Sequence, residues 1–182
     1  MIITKWPVVI VANYRTGSSE LAERISRQHE VVNITEPIHN PSTMDMLTTM
    51  IKEGNTNFVL KLIVDQLDTS TTYKQILNNC FAIRLVRQNI LENVVSYYVA
   101  MMRDHWHQRV SKIDEYTVDI DYLRIQYAID KILANNKLLA ESTTAYNLDL
   151  LYEELDFTDT TRFKTTPPTN IQTITSVVKR RL

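Results

Sequence analysis

A five-residue apolar run, Val8–Ala12, passes directly into the polar loop Asn13–Gly17. Ser18, Ser19 and Glu20 follow, with Leu21, Ala22 and Ile25 at helical spacing. The run is too short for a helix and is rich in β-branched residues, so it reads as a buried strand. Strand, tight loop and helix in that order set a helix N-terminus against the end of a buried strand. The orphan N–H groups there, and the positive end of the helix dipole, attract phosphate-like anions. The chain has only two glycines, and Gly17 lies in this loop.

The rest of the chain continues the alternation. Strands are expected at Val31–Ile34, Phe58–Val64, Phe81–Val86 and Leu148–Tyr152, and helices at Ser18–Gln28, Thr71–Asn79, Asn89–Arg103 and Asp121–Ser142. Glu36–Pro41 reads as a loop because it holds two prolines. Ser42 is placed to cap a further helix that Gly54 ends. Several strands are apolar throughout, which predicts an α/β fold: three layers, α/β/α, around a mainly parallel sheet. Ligands in such folds bind beyond the C-terminal ends of the strands. No repeat or linker-like stretch divides the 182 residues, so one domain is expected, with an irregular tail over residues 163–182.

Composition narrows the function. A net charge of −1 leaves no basic excess for tracking a nucleic-acid backbone, so no nucleic-acid partner is expected. No apolar stretch is long enough for a membrane span, and no leader-like segment opens the chain, so a cytoplasmic protein is expected. The single cysteine, Cys80, lies in an apolar run and reads as a buried structural thiol. Oligomeric state is not legible.

The first loop bears comparison with the nucleotide-binding pattern G-x-x-x-x-G-K-[ST]. Ala12 and Gly17 stand five apart, as the two glycines of that pattern do, and Ser18 and Ser19 follow. The lysine is missing from its place, the only loop cation is Arg15, and no compelling Mg²⁺-holding acid follows the strands. The loop therefore suits a phosphate-like anion better than ATP hydrolysis. An ordinary turn with Ser18 as helix N-cap is the structural alternative.

Tyr14-Arg15-Thr16-Gly17-Ser18-Ser19 resembles the 5′-phosphosulfate-binding loop of sulfotransferases that use 3′-phosphoadenosine 5′-phosphosulfate (PAPS), in the form carried by small bacterial-type members. Residues 84–98, Arg84 to Tyr98, resemble that family's 3′-phosphate-binding segment, in which an arginine ends a strand and a serine sits about two turns into the next helix. Arg87 stands nine positions before Ser96 where the family usually has eight, and Gln88 occupies the eighth. Arg84 is a second candidate cation. Weaker echoes are the Glu36-Pro37 turn, the strand around Lys61 and the run Leu151-Tyr152-Glu153-Glu154-Leu155. The resemblance spans about residues 6–155. The C-terminal glycine-rich nucleotide loop of larger members is absent, leaving Lys164, Lys179 or Arg180 as substitutes.

The resemblance implies sulfuryl transfer from PAPS, as co-substrate, to a hydroxyl or amine of a small-molecule, glycan or lipid acceptor, with no metal. Arg15, Thr16, Gly17, Ser18 and Ser19 would hold the 5′-phosphosulfate, and Arg87 and Ser96 the 3′-phosphate. Arg15 would also stabilise the leaving oxygen. Glu36 is the first candidate for the general base and His39 the second. His105 and His107 flank Trp106 and read as an acceptor-pocket wall rather than a metal pair, since no third ligand is evident. Lys61, in an apolar strand, requires a partner or ligand, or else a strand end in water. The rival readings are a P-loop kinase of a small substrate and a non-catalytic sulfonucleotide-binding protein.

Overall fold

The computed structural model describes residue 3 and residues 5–37, 41–67, 73, 76–103, 116–142, 144–155 and 167–182. Five strands form one sheet: β1 (Val8–Ala12), β2 (Val32–Thr35), β3 (Phe58–Ile63), β4 (Phe81–Val86) and β5 (Leu148–Leu151). Their order is β2-β3-β1-β4-β5, and every pairing is parallel. β1 is therefore central, with Val8 opposite both Val59 and Phe81, and all five of its residues are buried.

Alternation along the strands divides the core in two. Val8, Ile10 and Ala12, with Val59, Ile83 and Leu85, pack against Leu21, Ala22 and Ile25 of α1 (Ser18–His29). Val9, Val11, Leu60 and Leu62 point the opposite way and meet Leu47 and Met50 of α2 (Pro41–Lys52), together with Leu139 of the long helix α4 (Tyr122–Glu141). Helices thus cover both sheet faces, which is why the strands read as unbroken apolar runs. A third cluster joins α3 (Ile90–Arg103), α4 and α5 (Ile171–Lys179) through Val94, Tyr98, Ile125, Ile129, Ile174 and Val178. No described helix is long and apolar enough to cross a membrane.

Two expectations are corrected. Pro41 does not extend the preceding loop but opens α2, because a proline in the first turn forfeits only an N–H that has no intrahelical partner there. The tail is not irregular beyond residue 170. Ile171, Ile174, Val177 and Val178 make a helical stripe, and the last three are buried. β-Branched and hydroxyl residues lower helix propensity, so packing against α3 and α4, rather than local preference, holds α5. Gly54 ends α2 as expected: with φ of 71° it closes a Schellman motif in which Asn55 N–H donates to Met50 O at 2.8 Å and Gly54 N–H to Ile51 O at 3.1 Å. Residues 71, 72, 74 and 75 of the helix expected over 71–79 lie outside the described residues.

Candidate functional site

The loop after β1 is held by its own polar groups. Asn13 is fully buried, and its Nδ2 donates to Ile132 O at 2.9 Å and to Asn136 Oδ1 at 2.8 Å, which ties the loop to α4. Its Oδ1 accepts from Tyr14 N–H, and Thr16 Oγ1 donates back to Asn13 O. Arg15 and Gly17 both take left-handed conformations, with φ of 57° and 74°. These turns place Gly17, not Ser18, at the N-cap of α1, and no side chain caps that end. The α1 N-terminus therefore keeps donors that no side chain among the described residues caps.

Arg15 crosses from this loop to α3, where its Nε donates to Ser96 Oγ at 3.1 Å. Arg87, just beyond β4, donates from a terminal nitrogen to Arg15 O at 3.2 Å, pairs with Glu92 at 2.7 Å, and lies 4.5 Å above the Tyr152 ring. The loop, the end of β4 and α3 thus come together around Arg15, and Ser96 meets Arg15 rather than Arg87. Burial, and next the like charge of Arg87, push the Arg15 guanidinium below its ordinary value, with Tyr152 acting in the opposite sense. Among the described residues no carboxylate pairs with Arg15, and the buried Nε of Arg87 has no acceptor. Two neighbouring guanidiniums with one carboxylate between them favour an incoming anion.

A cleft of about 430 Å³ opens from Arg15, Arg87 and Ser96 between α3 and the approach to α5. Val95, Val99 and Ala100 line one side, and Pro167, Pro168, Ile171 and Thr175 the other. Lys179 and Arg180, the substitutes expected for a missing nucleotide loop, are exposed and do not line it.

Lys61 resolves its alternatives toward a partner. It lies on the α1 face of β3, 4% exposed, and its Nζ donates to Ser19 Oγ at 3.0 Å and forms an ion pair with Glu36. Glu36 adopts φ of 45°, and its N–H donates to Lys61 O at 3.1 Å, so backbone and side chain bind the same lysine residue. Burial pushes the Lys61 ammonium below its ordinary value, opposed by Glu36. Arg84 is engaged elsewhere: it makes two 2.7 Å hydrogen bonds to Asp149 of β5. Glu153, in the run after β5, accepts from Gln88 and Asn89 N–H at 3.2 and 3.0 Å and so occupies the start of α3. His39, His105, His107, Trp106 and Lys164 lie outside the described residues.

Sequence reasoning missed Asp65. It lies in the turn Val64–Gln66 after β3, beside the loop, and its Oδ2 pairs with Lys131 at 2.6 Å and accepts from Tyr14 OH at 3.4 Å. Among the described residues its buried Oδ1 has no hydrogen-bond partner. An acid immediately after an apolar strand was the available signal. No group of three metal-ligating side chains occurs among the described residues.

No family model matches the chain, and no curated protein matches it. Among solved structures, the chain is similar to an uncharacterized protein from Eubacterium ventriosum ATCC 27560, with a TM-score of 0.47 and 9% identity over 96% of each chain.

Proposed function

We propose that this protein is a P-loop-like sulfotransferase, moving a sulfuryl group from PAPS to a hydroxyl or amine acceptor. The observation that carries the reading is the convergence of Arg15, Arg87 and Ser96 at the mouth of one cleft, next to an uncapped helix N-terminus. The resemblance of residues 14–19 and 84–98 to the family's two phosphate-binding segments supports it from the sequence side.

In this reading the α1 N-terminus, with Thr16, Gly17, Ser18 and Ser19, holds the 5′-phosphosulfate. Thr16 and Ser18 are 1% and 3% exposed, so they contribute through backbone donors and loop shape, and Ser19 presents a hydroxyl. Arg15 stabilises charge on the departing phosphate oxygen, a term that grows as the bond to sulfur breaks. Arg87 and Ser96 take the 3′-phosphate. Lys61, which donates to Ser19 and is paired with Glu36, lies beneath a loop that lacks the lysine of the nucleotide-binding pattern. Glu36 takes the acceptor proton after exchanging its contact with Lys61 for the acceptor hydroxyl.

Thermal stabilisation tests the donor. Adenosine 3′,5′-bisphosphate at about 100 times its dissociation constant adds about 2.7 kcal/mol, which raises the melting temperature of a chain this size by about 5–10 °C. ATP with Mg²⁺ should add far less, and the reverse order would favour the kinase reading. The bisphosphate without any turnover of PAPS would favour the non-catalytic binding protein. Glu36→Gln should keep bisphosphate binding and lower turnover by about 10²–10⁴; unchanged turnover removes Glu36 as base.

A further inference from the structure

We infer that Glu92 is a specificity and release residue of the cleft: its carboxylate holds Arg87 while the site is empty and yields it to the 3′-phosphate. This rests on the sulfonucleotide reading and concerns a residue that the resemblance leaves unassigned.

Arg15, Arg87 and Arg103 bring three guanidiniums to the cleft, and Glu92 is the one carboxylate among its described lining residues. The Glu92–Arg87 pair is lopsided. The Arg87 side chain is 11% exposed and that of Glu92 62%. The carboxylate can therefore leave into water while the arginine stays. Arg87 does not depend on Glu92 for its place, because Nη1 donates to Arg15 O at 3.2 Å and the guanidinium lies 4.5 Å above the Tyr152 ring. Nor does α3 need Glu92 as a cap. Glu153 accepts from Gln88 and Asn89 N–H, and Asn89 Oδ1 accepts from Glu92 N–H at 3.1 Å. Among the described residues the Glu92 carboxylate meets only Arg87, the cation that the anion requires.

The pair also leaves the arginine incompletely used. Glu92 takes Nη2, while Nε is buried with no acceptor among the described residues. Those two nitrogens form one edge of the guanidinium fork, which suits an anion with two oxygens to offer. A phosphate brings oxygens for both donors and carries more charge, so it displaces the carboxylate. A nucleotide phosphorylated only at the 5′ position leaves the pair closed. Exposed ion pairs favour the closed state by at most about fivefold. The apparent affinity for the 3′-phosphate falls by the same factor, since only open molecules bind it. The displaced carboxylate stays on the same helix turn beside the bound dianion, and its like charge hastens departure. The effect therefore falls chiefly on the dissociation rate.

Titration calorimetry with adenosine 3′,5′-bisphosphate and adenosine 5′-phosphate tests the exchange. Glu92→Gln should bind the bisphosphate about fivefold more tightly and release it correspondingly more slowly. Its affinity for the monophosphate should change by less than about twofold. In an Arg87→Ala background Glu92→Gln should bring no gain, because the carboxylate then has no arginine to hold. An equal gain for both nucleotides would mark a diffuse effect of charge and overturn the exchange. So would a gain that survives Arg87→Ala, or bisphosphate binding that Glu92→Gln leaves unchanged or weakens. A wild type that binds neither nucleotide overturns the sulfonucleotide reading itself, and the exchange with it.

Discussion

Arg15 and Ser96 are joined by a 3.1 Å hydrogen bond although they belong to the first and fourth strand–helix units. The bond uses Nε, the inner nitrogen of the guanidinium, and so fixes the plane of the group. A guanidinium held in this way loses less entropy when it captures an anion.

Removing either partner should therefore weaken the same event. Ser96→Ala is expected to reduce affinity for adenosine 3′,5′-bisphosphate about fivefold, the worth of one ordinary hydrogen bond. Arg15→Ala should cost at least about tenfold, since its bonds to the anion are charge-assisted. The double variant should lose less than the product of the two, because both changes act through one guanidinium. Fully multiplicative losses by calorimetry would show that Arg15 and Ser96 act independently.

The Lys61–Glu36 pair is a matter of stability. Lys61→Met removes the ammonium that pairs with the Glu36 carboxylate, whose side chain is 12% exposed. Breaking a buried pair from one side costs about 3–5 kcal/mol. Lys61→Met combined with Glu36→Gln removes both charges and should recover much of that loss. Thermal unfolding distinguishes the cases: a single variant as stable as the wild type would show that the pair is solvated.

Cys80 should make the wild type sensitive to alkali. Burial pushes its thiol up to about 11 from 9.0, against a smaller pull from Lys5. Between those values the folded chain keeps a proton that the unfolded chain has lost, so stability is present below pH 9 and declines as pH rises toward 11. The melting temperature of the wild type should fall more steeply across pH 9–11 than that of Cys80→Ala. Equal slopes would contradict the shift. The same burial makes native Cys80 slow to react with thiol reagents, and fully reactive in denaturant.

Much of the sheet was legible because its signal is local. Val8–Ala12 and Phe81–Val86 each stop at a polar residue, Asn13 and Arg87, and both strands begin and end where expected. Asp121 was legible as the boundary of α4 because its side chain satisfies the first free donors, Leu123 and Arg124 N–H. What stayed hidden depends on partners distant in sequence. α5 has poor helix formers and exists through contacts with α3 and α4. Lys61 and Glu36 are 25 positions apart, and only the parallel pairing of Thr35 with Lys61 makes them neighbours. Arg87 and Ser96, nine positions apart, are each hydrogen-bonded to Arg15 rather than to one another, a contact that their spacing does not reveal.

The central position of β1 has a consequence for synthesis. It is the first strand made, yet neither neighbour in the sheet, β3 or β4, exists until long after it has left the ribosome. At about 5–20 residues per second, five consecutive apolar residues wait for several seconds with no strand to pair against. Nascent chains of this protein halted before Phe58 should therefore be held by chaperones, while those extending through β4 should begin to shed them.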